Sequence, residues 1–151
     1  MGALRRHDHE DGLSLRWLDG EASVLRVRAS VFSVRYAGRV NAEVCTVVRG
    51  YVRERVSAQA PLHLFFDAER VTAHDAPSRQ RWLTWLRASP GDVASIHLLV
   101  RSRLFELGVN IMHPLAHERL FAYASRHAFE QALDRAARRS SVTPAPHRAS
   151  R

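Results

Sequence analysis

The sequence predicts an α/β fold with a mixed β-sheet, N-terminal hairpin strands and four helices. In residues 13–36, apolar and polar side chains alternate, as they do in half-buried strands. Residues 62–66 and 96–100 are continuous apolar runs, typical of strands that are covered on both faces. Stretches with helical spacing separate these runs, and this alternation favours parallel strands joined by right-handed crossovers.

The composition indicates one folded domain. The 151 residues are 46% hydrophobic and 25% charged, which is typical of a globular protein with a single core. No apolar stretch approaches the ~18 residues that span a bilayer, Cys45 is the only cysteine, and the polar N-terminus is unlike a secretory signal. We therefore expect a cytoplasmic protein with a disordered lead (1–12), one domain (13–139) and a disordered Arg/Ser/Pro-rich tail (140–151).

The first third of the chain predicts three strands and a helix. Residues 13–17 alternate in polarity, and Asp19-Gly20 predicts a hairpin turn because both residues tolerate positive φ. Further alternating strands are predicted at residues 25–27 and 32–36. Asn41, a good N-cap residue, predicts the start of the first helix. This helix is rich in valine, a weak helix former, so we expect tertiary packing to stabilise it.

The rest of the chain predicts three further strands and three helices. The strands are residues 62–66, 96–100 and 120–123, and the helices are 76–88, 104–118 and a last one around 129–136. After the hairpin strands, the element order is therefore βαβαβαβα. We interpret Asp67 as the end of a strand, residues 67–75 as a polar loop, and Asp75 as the cap of the next helix. His97 is predicted to be a hydrogen-bonded core residue.

Three segments share the order and spacing of motifs from one fold family. Residues 36–42 (YAGRVNA) match a Gly-containing entry into a first helix. Residues 66–76 (FDAERVTAHDA) match a strand and loop of the form φ-Asp-x-x-x-Val-x-x-x-Asp-Ser, and residues 123–133 match a last strand and helix with Glu-x-Ala-Leu. Over residues 30–137 the chain resembles STAS domains, the fold of sulfate-transporter C-termini and anti-sigma-factor antagonists. The resemblance implies a non-catalytic module that binds a protein partner, such as an anti-sigma-factor-like kinase.

Ala76 departs from the family pattern at its most important position. The resemblance places there the Ser or Thr that a partner kinase phosphorylates in antagonist proteins, and alanine carries no phosphate. Partner switching would therefore proceed without phosphorylation at this position, unless Thr72 or Ser78 substitutes. The resemblance implies that the loop and the following helix contact the partner. The expected partner-binding residues are Thr72, His74, Asp75, Ala76, Ser78, Arg79 and Trp85.

No motif in the sequence predicts enzymatic chemistry. Glycine-rich phosphate loops and the Gly-x-Ser-x-Gly nucleophile elbow are absent from the sequence. Asp67, Glu69 and Asp75 could form a carboxylate cluster, but strand-end and capping roles explain them better. His113 and His117 have the spacing of zinc ligands without an evident third ligand. We therefore predict no catalytic residue, no metal site and no cofactor.

Two other functions remain open at the level of sequence. Residues 135–151 hold five of the 23 arginines and no acidic residue, whereas residues 1–134 hold 18 arginines and 15 acidic residues. The tail arginines could bind nucleic acid or another anionic surface weakly, and such binding would weaken steeply with salt. A pocket between the sheet and the helices could instead carry an apolar small ligand.

Overall fold

The computed structural model describes residues 2–55, 61–78, 80, 81, 84, 93–101 and 119–140. Seven strands in these residues form one sheet whose spatial order equals their order in the chain. The elements are β1 (Arg5–Asp8), β2 (Gly12–Trp17), β3 (Gly20–Arg28), β4 (Val31–Val40), α1 (Ala42–Arg55), β5 (Leu62–His74), β6 (Val93–Leu99), β7 (Leu120–Tyr123) and α2 (Arg126–Ser140). Strands β1 to β4 pair antiparallel and β4 to β7 pair parallel. The predicted mixed α/β fold is therefore confirmed.

Among the described residues, one helix packs on each face of the sheet. Strand alternation directs Leu64 and Phe66 of β5 into the larger core, which includes Val44 and Val48 of α1. Phe65, between them in the chain, lies on the opposite face. There the second core consists of Val31, Phe65, Leu99, Phe129 and Ala132, the last two from α2. This two-sided burial explains why residues 62–66 form a continuous apolar run.

The hairpin turn between β2 and β3 lies one residue earlier than predicted. Trp17 pairs with Gly20, so Leu18 and Asp19 form the two-residue turn. The Trp17 indole N–H donates to the carbonyl of Arg39 at 2.8 Å, and the Arg39 amide donates to the carbonyl of Asp19 at 2.9 Å. These two hydrogen bonds attach the tip of the hairpin to the end of β4.

Gly38 allows this close approach of the hairpin to β4. Its φ is +80°, in the left-handed region that favours glycine. A Cβ at this position would overlap the carbonyl oxygen of Asp19 and lie 2.8 Å from the Cα of Gly20. Gly38 belongs to the segment that resembles the entry into the first STAS helix, and its role here is steric.

Strand β5 continues well beyond the predicted strand end. The polar loop that we predicted at residues 67–75 is wrong, because β5 extends to His74. Its second half pairs parallel with β4 as far as Val40 opposite His74, with two register shifts on the way. These irregularities and the polar side chains remove the strict alternation that would have indicated a strand.

The two ends of the chain and the number of helices also differ from the prediction. Residues 5–8, which we placed in a disordered lead, form β1 and pair with β2. Four helices are not confirmed: the described residues contain α1, α2 and helical residues beginning at Ala76. Ser140, the first residue of the predicted tail at 140–151, ends α2 instead. The predicted helix at 104–118 and the tail residues 141–151 lie outside the described residues.

Candidate functional site

The candidate site lies where β4 and β5 end and two helices begin. Asn41 follows β4, and its Oδ1 accepts the backbone N–H of Val44 at 3.0 Å. This side chain satisfies one of the amides that the first turn of a helix leaves without a partner. The predicted N-cap at Asn41 is therefore confirmed.

Asp75 caps the helical residues that follow β5. Its Oδ1 accepts the backbone N–H of Ser78 at 2.9 Å, and the Ser78 hydroxyl donates to the Asp75 carbonyl at 2.8 Å. The Asp75 amide donates to the carbonyl of Val40 at 3.3 Å, which ties the two strand ends together. The capping role that we predicted for Asp75 is confirmed. Ser78 is 3% exposed, and its hydroxyl serves this cap.

The other expected contact residues differ in their exposure. Thr72 and Ala76 are exposed, and His74 is half-buried. The Nδ1 atom of His74 is buried and has no hydrogen-bond partner among the described residues. Arg79 and Trp85 lie outside the described residues. Exposed side chains and an unpaired ring nitrogen thus lie beside a helix start that Asp75 and Ser78 hold in place.

A shallow groove runs between α1 and the helical residues after Asp75. The residues that line it are Arg49, Pro77, Gln80, Arg81 and Thr84. The Arg81 guanidinium donates to the Thr46 hydroxyl at 2.8 Å, which joins the two walls. Two of the five lining residues are arginines and none is acidic, so this groove favours an anionic group from a binding partner.

Of the three carboxylates that the sequence could have grouped, the structure separates Asp75 from Asp67 and Glu69. Asp67 lies within β5 and is 4% exposed; its Oδ2 is 3.3 Å from Arg35 Nε and 3.0 Å from Arg126 Nη2. Arg126 Nη2 is also 2.9 Å from Glu69 Oε2. The hydrogen bond that Arg126 donates to Asp67 raises the pKa of the Arg126 guanidinium. These ion pairs tie the start of α2 to the sheet, whereas Asp75 caps a helix. In the part of the chain that the structure describes, no group of three or more His, Cys, Asp or Glu residues could hold a metal ion.

A second polar cluster lies on the face of the sheet that packs on α2. His63, Ser95, His97 and Tyr123 form a continuous hydrogen-bonded chain across β5, β6 and β7. His97 is hydrogen-bonded, as predicted, and half-buried. The other three members of this hydrogen-bonded chain were not predicted from the sequence. The signal in the sequence was the presence of two polar residues, His63 and Ser95, next to the apolar positions of two strands predicted to be buried.

The chain has a SpoIIAA-like fold. Among solved structures it is similar to the crystal structure of an uncharacterized protein from the DUF3478 family with a SpoIIAA-like fold, from Shewanella loihica PV-4. The two share 8% sequence identity with a TM-score of 0.57, and the match covers 87% of this chain and 92% of the other. No protein-family model and no curated protein matches the chain. The SpoIIAA-like fold is the STAS fold of anti-sigma-factor antagonists, so the predicted resemblance is confirmed for the fold. None of the helices in the described residues has the length and hydrophobicity needed to cross a membrane.

Proposed function

We propose that this chain is a non-catalytic STAS-like module that binds a protein partner. The binding surface, which we call the β5-end surface, consists of Thr72, His74, Asp75 and Ala76, and we expect Arg79 and Trp85, which lie outside the described residues, to extend it. Ser78, which we had expected to contact the partner, is buried and supports this surface through the Asp75 cap. Folds of the SpoIIAA type are typically interaction modules. The observation that carries the proposal is the exposed Ala76 on a capped helix start, next to a groove that contains arginines and no acidic residue among its lining residues.

Ala76 keeps the β5-end surface permanently competent to bind. A phosphate at this position would add a charge of about −1.5 to −2 beside the Asp75 carboxylate and would repel an acidic partner. Alanine adds neither charge nor bulk, so the helix start stays accessible. Ser78, the nearest described hydroxyl after Ala76, is buried and donates within the cap. Any regulation of binding therefore acts through another route than phosphorylation at residue 76.

The charge of the groove specifies the kind of partner. Arg49 and Arg81 favour a protein that presents carboxylates, because opposite charges across an interface set its orientation and its association rate. An anti-sigma-factor-like kinase is the partner class that the STAS resemblance implies. We propose that this interaction takes place in the cytoplasm, where a buried cysteine thiol such as that of Cys45 stays reduced.

Affinity capture with matched variants tests this proposal. The baits are the wild-type chain, Ala76→Asp, Ala76→Ser and the control Ser23→Asp, which places the same charge at an exposed position on β3. We expect the captured proteins to bind the wild type, Ala76→Ser and Ser23→Asp equally well. Their affinity for Ala76→Asp should be at least about tenfold lower, a loss of ~1.4 kcal/mol. An aspartate in the first turn of a helix is neutral or slightly stabilising, so misfolding would not explain such a loss. Equal binding to all four baits would refute the proposed surface.

One observation favours nucleic acid as a second candidate ligand. The end of α2 carries the exposed arginines Arg135, Arg138 and Arg139. Binding through these residues would weaken steeply with increasing salt and would be indifferent to Ala76→Asp. Titration with single-stranded DNA at two salt concentrations therefore separates the two candidates. No feature of the described residues favours the third alternative, a carrier of an apolar small ligand.

A further inference from the structure

Ser95 lies between two histidines under α2. Its Oγ is 2.7 Å from His63 Nδ1 and 2.9 Å from His97 Nε2, and His97 Nδ1 is 2.8 Å from the Tyr123 hydroxyl. Ser95 is 8% exposed, so water has little access to its hydroxyl. The four side chains form one line of three hydrogen bonds across three neighbouring strands.

The same side chains form the surface on which α2 packs. The His97 ring stacks on Phe65 with 4.1 Å between ring centroids and 2° between their planes. Phe129 of α2 places its edge against Phe65 at 5.7 Å and against Tyr123 at 5.9 Å. A change in the charge or position of His97 therefore acts on the packing of α2 through Phe65 and Tyr123.

When both histidines are neutral, two arrangements give the buried Ser95 hydroxyl an acceptor within this chain, whereas a third, in which both rings donate to Ser95 Oγ, leaves its hydrogen without one. In the first, Tyr123 donates to His97 Nδ1, His97 Nε2–H donates to Ser95, and Ser95 donates to His63. In the second, every bond runs in the opposite direction. A doubly protonated His63 donates from Nδ1 to Ser95, so the Ser95 hydroxyl must donate to His97 Nε2. His97 then carries its proton on Nδ1 and donates to Tyr123, which is compatible with the second arrangement alone.

We propose that these four residues form a two-step acid latch for α2. Protonation of His63 fixes the tautomer of His97 and leaves α2 in place, and a second proton, on His97, releases α2 from the sheet. With both rings charged, two N–H groups point at the Ser95 oxygen, and the buried Ser95 hydroxyl loses its acceptor. The unpaired Ser95 donor and the charged His97 ring stacked on Phe65 both destabilise the state in which α2 is packed on the sheet.

The charged groups around the latch favour this order of protonation. The basic groups that act on the rings are Arg139 on His63, and His63 and Arg135 on His97. Burial, followed by these cations, lowers the pKa of His97 to about 4, and burial and Arg139 lower the pKa of the more accessible His63. Tyr123 is the titratable group that faces His97 from β7, and burial raises its pKa, so it stays neutral in this pH range.

Nuclear magnetic resonance of the full chain, labelled with nitrogen-15 in its histidines, tests the latch directly. As the pH falls from 7 to 3.5, we expect His63 to gain its proton first and His97 to show the Nδ1–H tautomer once His63 is charged. The backbone amides of α2 should keep their protection from hydrogen exchange through this step and lose it when His97 titrates. This measurement needs no variant.

Tyr123→Phe tests whether a change at one end of the hydrogen-bonded chain alters the protonation of His63, which Tyr123 does not contact. Phenylalanine removes the bond to His97 Nδ1 in both states of His63, but it leaves an N–H donor unpaired when His63 is charged and a ring acceptor unpaired otherwise. Buried donors go unpaired more rarely than acceptors, so we expect the midpoint of His63 to fall by about 0.5 pH unit. The matched control is Phe121→Leu, which removes a ring stacked 5.0 Å from His97 and leaves all three hydrogen bonds in place. An unchanged His63 midpoint in Tyr123→Phe would overturn the proposal. So would an Nε2–H tautomer of His97 beside charged His63, release of α2 at the first step, or an α2 that stays docked after His97 is charged.

Discussion

Replacing Gly38 with alanine tests how the β2–β3 hairpin is attached to β4. An L-residue in the left-handed region costs roughly 1–2 kcal/mol. The new Cβ would also overlap the Asp19 carbonyl and approach Gly20 within 2.8 Å, so the hairpin tip must move. That movement weakens the 2.9 Å hydrogen bond from Arg39 to Asp19, which contributes about 0.5–1.5 kcal/mol. We expect Gly38→Ala to lower the free energy of unfolding by about 2–3 kcal/mol.

Gly50→Ala is the matched control for this substitution. Gly50 lies within α1, and no heavy atom is within 4 Å of the position of its Cβ. Alanine should therefore stabilise the protein by about 0.5–1 kcal/mol, because glycine is unfavourable in a helix interior. Urea unfolding of both variants, with equal dependence on denaturant, gives the comparison. The reasoning is refuted if Gly38→Ala is as stable as the wild type while Gly50→Ala is stabilised.

Three further predictions concern the core, the chain end and acid. Leu64 on β5 is 0% exposed, so Leu64→Ala should lower the free energy of unfolding by about 2–5 kcal/mol. An unchanged denaturant midpoint would contradict its central position. Removal of residues 141–151 should leave the melting temperature unchanged, because this stretch offers no apolar periodicity to bury; a fall of many degrees would show that it is docked. The free energy of unfolding should decline as the pH falls below ~6.5 towards the His97 pKa of about 4. In this range His97 takes up a proton in the unfolded chain but stays neutral in the folded protein. This decline is at most about 1.4 kcal/mol per pH unit, reduced because His97 is only half-buried, and equal stability at pH 7 and pH 5 would contradict it.

The sequence predicts this fold best where the role of a residue depends on residues close to it in the chain. Asn41 and Asp75 cap helices through bonds to amides three residues away, so local sequence is sufficient to find them. Residues 62–66 and 96–100 are apolar on both sides because both faces of the sheet are covered, and they were recognised as strands for that reason. These signals gave the order of the parallel strands, from which the STAS resemblance followed.

Elements that depend on distant partners could not be predicted in this way. Strand β1 is a polar segment with all four residues exposed, and pairing with β2 alone makes it a strand. The second half of β5 is likewise extended because β4 lies beside it, although its polar residues suggested a loop. The His63–Ser95 and His97–Tyr123 hydrogen bonds span 32 and 26 residues in the sequence, so no local pattern reveals them.

Hydrogen exchange of the chain with and without a captured protein partner tests the proposed binding surface most directly. Binding at the β5-end surface should slow exchange in residues 70–78 and in the first half of α1, and leave α2 unchanged. The same protein should produce no such protection in Ala76→Asp at equal concentration. Protection confined to α2, or equal protection in wild type and Ala76→Asp, would contradict the account.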